Sequence, residues 1–422
     1  MSSILIRNVW HNGEPNDVWI EGNRFREIAP HLDVAADEVI DGTDKAILPP
    51  FCNTHTHAAM TLLRGYADDM ELFHWLNDCI WPAEAKLTGE DVYWGTKLAI
   101  LEMIRSGTVF FNDMYWYQSD TIRAAEEMGV RAAVGMLYIE GPDGKVLERN
   151  LRDNAALLDM RGSLSRRVSI TFAPHSVYTV SGPTLRRTAE EAAACGGIFH
   201  IHASETRREV EECRAAHGGM SPIEWLDSLG ALGERTVLAH CVHLSENDIA
   251  LIRERKAVIA HMPCSNHKLA SGRFRFHEVF ESGGCRVTVG TDGCASNNSL
   301  SMFDEIKFAA LLAKVESGLP TSGGSGAIFD CATRCGAEAF GIDGGVIAPG
   351  KLADAVLADL RRPCMTPAYH LIANWVYSAD PSCVDTVICD GRILMKHGVI
   401  EGEEEILARA SECCRRFGRF GI

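Results

Sequence analysis

Residues 46–60 read AILPPFCNTHTHAAM, and how this stretch is parsed decides how the rest of the chain is read. Two prolines interrupt an apolar entry, and the run that follows ends in His55-Thr56-His57. Side chains alternate along a strand, so residues two apart point to one face. At the end of the first strand of a parallel barrel, both imidazoles would reach the C-terminal mouth, where such barrels carry their sites. A His-x-His pair alone is also an ordinary surface feature, so its meaning rests on its surroundings.

Outward from this stretch, short apolar runs at 108–112, 131–138, 168–173, 198–203, 236–239, 257–261 and 286–290 alternate with amphipathic stretches at 91–105, 119–128, 183–194 and 304–315. Buried strands each followed by a helix, repeated about eight times, predict an α/β fold with a (β/α)8 TIM-type barrel over residues 50–348. Upstream, residues 3–9, 17–21 and 24–28 are strand-like with turn residues between them; beyond Pro349 a period-two pattern returns at 353–358, 386–389 and 392–394. Both chain ends, 1–49 and 349–400, are therefore expected to build one small β-sandwich domain with the barrel inserted, and 401–422 a C-terminal helix.

The composition narrows the function. Of 422 residues 46% are hydrophobic and 23% charged, which is an ordinary globular balance. The net charge of −16 repels phosphate backbones and anionic lipid surfaces, so neither nucleic acid nor membrane is expected as a partner. No apolar run approaches the ~20 residues of a membrane span. The start reaches charged and turn residues too early for a secretory leader. The 15 cysteines, an odd number without a CxxC pair, fit reduced thiols in a cytoplasmic protein.

Other predicted strand ends add to the first pair. IFHIHASET places His202 at a strand end with Glu205 after it; His200 has the same parity one layer deeper and reads as a hydrogen-bonded core histidine. VLAHCVHL ends a strand at His240, with His243 beyond; VTVGTDGCASNNS does so at Asp292, and TFAPHSVYT at His175. Random polar termination would scatter Ser, Asn and Lys at such points. Histidines with an aspartate suit a borderline divalent ion such as Zn2+ or Fe2+, whereas calcium or magnesium would demand more oxygen ligands. Glu84, in Pro82-Ala83-Glu84, could equally open a helix, and Trp75 could be core, with Leu72, Leu76 and Ile80 at helical spacing around it.

Together, HTH, HASE, AHC and GTDG resemble the amidohydrolase superfamily, as does the closing PGKLADAVLADL. More narrowly, NTHTHAAMTLLRG, FHWL, PHSVY, HCVHL, SNHKLASG and TDGCASNNSLSMFDE are similar to the 5′-methylthioadenosine/S-adenosylhomocysteine deaminase group. The resemblance implies one divalent metal ion held by His55, His57, His202 and Asp292, a proton-handling set of Glu205, His240 and Asp292, and substrate contacts from Trp75, Glu84, His175 and Glu205. It implies hydrolytic deamination of adenosine-type nucleosides (adenosine, 5′-deoxyadenosine, 5′-methylthioadenosine or S-adenosylhomocysteine) to the inosine analogue and ammonia, in purine salvage. The sequence departs from the group's pattern at Ala58, Val177 and His267. Where members that take S-adenosylhomocysteine offer arginine to its carboxylate, Met136 and Val146 stand, with Lys145 and Arg149 close by. The alternative keeps fold and metal but takes a free base or related ring: guanine, pterin, cytosine or triazine. A non-catalytic scaffold is the third reading, against which all the metal-ligand positions are present. A homo-oligomer is expected by analogy, with exposed barrel helices packing between copies.

Overall fold

The computed structural model describes residues 3–141 and 144–418. Eight parallel strands form one sheet: β1 (Phe51–Thr56), β2 (Thr108–Asp113), β3 (Arg131–Tyr138), β4 (Val168–Pro174), β5 (Phe199–Ala203), β6 (Thr236–His240), β7 (Val258–His261) and β8 (Arg286–Val289). Each pairs with its neighbours in chain order. The ring closes where β8 returns to β1: Thr54 Oγ1 donates to the Val289 carbonyl at 3.0 Å and Asp292 N to the His55 carbonyl at 3.0 Å. A Cβ at Gly290 would stand 2.8 Å from both N and O of His55, so only glycine allows this approach. These strands are buried along nearly their whole length, as expected of a parallel sheet covered by helices.

Helices pack outside the ring. Gly89–Arg105 begins with a capping box in which Thr88 and Asp91 satisfy each other's backbone N–H groups. Gly182–Ala194 starts with a proline in its first turn, where the missing N–H costs nothing. The loop after β1 is more elaborate than the sequence indicated. A 3-10 helix (Ala58–Leu63), helix Leu72–Trp75, a π-helical turn Leu76–Ile80 and helix Trp81–Glu84 succeed one another and arch over the barrel mouth.

The second sheet joins Ser3–His11, Glu14–Glu21, Arg24–Ala29, Glu38–Asp41 and Lys45–Leu48 to Ala355–Asp359, Val384–Cys389 and Arg392–Met395. The two ends of the chain meet in the antiparallel pair Lys45–Leu48 with Ala355–Asp359. The opening stretch AILPPF is thus shared: its first residues belong to the small sheet, Pro49 and Pro50 end that ladder because proline donates no hydrogen bond, and Phe51 begins the barrel. The small sheet has its own core, including Ile4, Ile6, Val18, Ile20, Phe25 and Leu357. The closing helix is Glu403–Cys414, shorter than the 401–422 expected; positions 419–422, like 1–2 of the first segment, lie outside the described residues. Among the described residues no helix is long and apolar enough to cross a membrane.

One buried ion cluster ties the two units together. Arg131, at the start of β3, donates to Asp354 through Nε at 2.7 Å and Nη2 at 3.0 Å, and to Asp390 at 2.8 Å. Its side chain and that of Asp354 are each 4% exposed. Arg131→Ala strands two carboxylates and should destabilise the fold by about 3–5 kcal/mol. Replacing Arg131 and Asp354 together by leucine should cost clearly less, since that carboxylate is gone. Urea unfolding of both variants checks this; equal losses would show that the cost is packing, not stranded charge.

Candidate active site

The five strand ends singled out in the sequence meet at one rim of the barrel. His55, His57 and His202 each offer a ligand atom within 4.8 Å of the others, and so do His55, His240 and Asp292. Each of the three outer nitrogens is already engaged. His57 Nδ1 donates to the Met114 carbonyl at 2.6 Å, His202 Nδ1 to the His175 carbonyl at 2.7 Å, and His55 Nδ1 lies 2.9 Å from His200 Nε2. Their Nε2 atoms are left facing inward; that of His55 is buried without a hydrogen-bond partner. His200, itself held by Asn112 Nδ2 at 3.1 Å, is the deeper support that strand parity predicts, and it orients His55.

Asp292 completes the cradle. Its Oδ2 accepts from Ser265 Oγ at 2.6 Å and Ser296 Oγ at 2.8 Å, while Oδ1 faces His55 Nε2 at 3.5 Å and His57 Nε2 at 3.2 Å. Burial would raise its pKa, but the nearby His55 and His57 rings and the charges of His57 and His240 outweigh burial and hold it well below the usual carboxylate range. Burial pushes His55 down to about 4 and His202 well below its ordinary value, so both stay neutral and able to ligate. His57 is the exception: burial opposes its proton, yet the bond and charge of Asp292 prevail and push it up to about 9. Three imidazoles with satisfied outer nitrogens, an orphaned Nε2 and an ionised carboxylate fit a divalent cation of zinc type.

Glu205 and His240 stand beside the cradle. His240 Nδ1 is 2.8 Å from Asn266 Oδ1, and its Nε2 is 3.7 Å from Glu205 Oε2. Glu205 Oε1 accepts from Ser271 Oγ at 3.1 Å. Burial raises the pKa of Glu205, the charge of His240 opposing it. The backbone N–H groups of Ser204 and Glu205 are both taken by the Glu209 carboxylate, at 2.8 and 2.7 Å. Several of these strand-end residues are non-glycine with positive φ: Ser204, His240, Cys241 and Asp292. Strained backbone of this kind concentrates at functional sites.

A cavity opens from the cradle. His57, His202, Glu205, His240 and Asp292 form its floor; Leu72, Trp75, Leu76, Ile80, Trp81 and Glu84, from the arch after β1, line it, as does His175. Glu84 accepts from Trp116 Nε1 at 3.2 Å, and burial raises its pKa. Trp75 Nε1 is spent on the Ala67 carbonyl at 3.0 Å, so Trp75 presents its ring to the cavity and not its N–H. His175 Nδ1 lies 3.0 Å from Thr179 Oγ1, and burial pushes the ring down to about 3. His243 stays outside the lining; its Nε2 donates to the Ser271 carbonyl at 2.6 Å.

No role for Asn266, Ser265, Ser271, Ser296 or Glu209 was legible in the sequence. The first three stand in SNHKLASG, so the segment was visible while its purpose was not. The carbonyl partners Met114 and His175 carry no side-chain signal at all.

A family model described as the amidohydrolase family matches residues 46–394. The chain is 46% identical over 400 residues, 94% of each chain, to a protein named 5-methylthioadenosine/S-adenosylhomocysteine deaminase 1 from Archaeoglobus fulgidus. It is 47% identical over 390 residues to a 5′-deoxyadenosine deaminase from Methanothermobacter thermautotrophicus, covering 92% of this chain and 91% of that one. Among solved structures it superposes on a zinc-bound adenosine deaminase from Xanthomonas campestris with a TM-score of 0.92, at 32% identity and 98% coverage of both chains.

The support that His200 gives His55 has a measurable consequence. His200→Phe should weaken divalent-metal affinity about 10–100-fold, the usual effect of losing a partner behind a ligand. Competition with a fluorescent chelator measures it; unchanged affinity would mean that His55 is oriented without His200.

Proposed function

Because the chain belongs to the amidohydrolase family, we propose that it is a metal-dependent aminohydrolase converting adenosine-type nucleosides to their inosine analogues and ammonia. The observation that carries the reading is that Glu205 and His240 face the same cavity floor as the His55, His57, His202 and Asp292 cradle. Trp75, Glu84 and His175 line the walls above it. The names of the curated relatives agree with this chemistry.

A divalent ion, when bound, makes hydroxide available from water at neutral pH. The chain's own groups do the rest. His240, its Nδ1–H given to Asn266 Oδ1, keeps a lone pair on Nε2 and directs the incoming water toward C6 of the adenine ring. Glu205, whose carboxyl burial holds above the ordinary range, can keep a proton and deliver it to N1, so the ring accepts electrons without accumulating charge. Asp292, held ionised, takes a proton from water and passes it to the amino group, which leaves as ammonia, while the new C6 hydroxyl returns its proton to Glu205 and becomes the carbonyl. Glu84, a partly exposed acceptor on the cavity wall, suits ribose hydroxyls, and the low basicity of His175 keeps it a neutral partner for the purine.

The outer wall bears on the 5′ group. Leu72, Leu76, Leu137 and Ile139 line it, and among the described residues the cavity lining includes no lysine or arginine. Arg149 lies with its guanidinium 4.7 Å from the Tyr117 ring centroid and 3.6 Å from Asp153. These features favour an uncharged 5′ substituent, as in 5′-deoxyadenosine or 5′-methylthioadenosine, over a carboxylate-bearing one. The cysteines are all unpaired, in keeping with a reducing, cytoplasmic setting.

Ammonia release from a panel of adenosine, 5′-deoxyadenosine, 5′-methylthioadenosine, S-adenosylhomocysteine, guanine and cytosine tests this. The three uncharged nucleosides should be preferred; turnover of a free base alone would move the protein to the alternative class. Glu205→Gln should retain metal and substrate binding but lose turnover about 10²–10⁴-fold, since an amide cannot deliver the proton. Near-wild-type kcat in that variant would remove Glu205 from the reaction.

A further inference from the structure

We propose that Glu305, which lies outside the cavity lining, is a positioning residue that sets His240 and Asp292 relative to one another by binding together the two loops that orient them. The proposal rests on the deaminase reading for its kinetic arm only.

Glu305 sits on the outer helix Met302–Ser317 and is completely buried. Its Oε2 accepts from the backbone N of Cys264 at 3.1 Å; its Oε1 accepts from Asn297 Nδ2 at 2.6 Å. The two donors belong to different loops, one following β7 and one following β8. On the first loop the next two residues are Ser265, whose Oγ donates to Asp292 Oδ2 at 2.6 Å, and Asn266, whose Oδ1 lies 2.8 Å from His240 Nδ1. On the second, Asn297 also donates to the Thr291 carbonyl at 2.6 Å, immediately before Asp292, and Ser296 Oγ donates to Asp292 Oδ2 at 2.8 Å. Both hydroxyl bonds to Asp292, and the amide that orients His240, thus come from residues within two positions of a partner of Glu305.

Chemistry explains why a carboxyl stands there. Two donors approach from opposite loops, and a carboxyl group, whose pKa burial pushes up to about 8 here, accepts both through separate oxygens, whereas an amide has a single acceptor oxygen and meets one donor with its own NH2. No ion pair involving Glu305 is present among the described residues, so its burial is not offset by a neighbouring cation. A buried carboxyl without a salt-bridge partner is a poor way to stabilise a helix. As a two-armed acceptor it fixes the separation of Cys264 from Asn297, and with it the directions in which Ser265, Asn266 and Ser296 point.

The test uses Glu305→Gln and Glu305→Asp in the zinc-loaded, full-length protein. Glu305→Gln should bind metal stoichiometrically, keep KM within about threefold and lose kcat at least tenfold; Glu305→Asp, which keeps the carboxyl group but is one methylene shorter, should fall between. Combined with Asn266→Ala, Glu305→Gln should cost less than it does alone, because the part of its effect that runs through Asn266 to His240 is already lost while the part that runs through Ser265 and Ser296 to Asp292 remains. A crystal structure of Glu305→Gln gives a reading independent of turnover: the Asn266–His240 or Ser265–Asp292 bond should be lengthened or broken. Unchanged kcat, fully multiplicative effects with Asn266→Ala, a kcat loss no greater than the loss of metal, intact bonds in the variant structure, or failure of both variants to fold would each overturn the proposal. A wild type inactive on every nucleoside sinks the deaminase reading instead, and the crystallographic arm then still decides the role of Glu305.

Discussion

The site depends on a carboxylate that is taken out of water and kept ionised. Asp292 is only 5% exposed, and burying a charge is unfavourable unless something nearby compensates. Two serine hydroxyls saturate one oxygen, and the other is turned toward the Nε2 atoms of His55 and His57. The same desolvation drives His55 and His202 to the neutral form. A negative group among uncharged imidazole lone pairs is an electrostatic deficit that a divalent cation relieves.

Three carboxyl groups around one cavity end in different states because their surroundings differ. Asp292 is surrounded by donors and stays ionised; Glu205 has one hydroxyl donor and a histidine at a distance, so burial dominates. Glu84 is raised by burial as well, on the opposite wall. One chemical group thus stands with opposite tendencies to ionise at different points of a single cavity, the condition under which acids divide acid and base work elsewhere.

This arrangement is held against local preference. Ser204, His240, Cys241 and Asp292 adopt left-handed backbone without being glycine, at a cost of order 1–3 kcal/mol each. The compensation is visible bond by bond: Glu209 takes two backbone N–H groups beside Glu205, Cys241 N donates to the Ala203 carbonyl at 3.0 Å, and Asp292 N donates across the barrel seam to His55. The barrel makes such strain affordable because every strand end is anchored to two neighbours. Gly290 allows the seam to close tightly enough for the Asp292 bond to form.

The alternation of apolar runs and helices determined the barrel, and the parity of His55, His57, His200 and His202 determined which imidazoles face inward. Both are periodic properties that survive in a linear text, since a strand's geometry is the same wherever it lies. The two prolines after Leu48 likewise mark in the sequence where the small sheet ends. Other features were decided only in three dimensions. Backbone carbonyls of Met114 and His175 orient ligands, yet any residue has a carbonyl; only the packing of β2 and β4 beside β1 and β5 brings these two into range. Ser265, Ser296 and Glu305 stand in the motifs SNHKLASG and TDGCASNNSLSMFDE, which carried the resemblance but no role for these three, and their meaning arises when the loops after β7 and β8 meet around Asp292. Periodicity reports the direction of a side chain relative to its own strand, whereas a hydrogen bond between loops depends on distances that the closed ring alone sets.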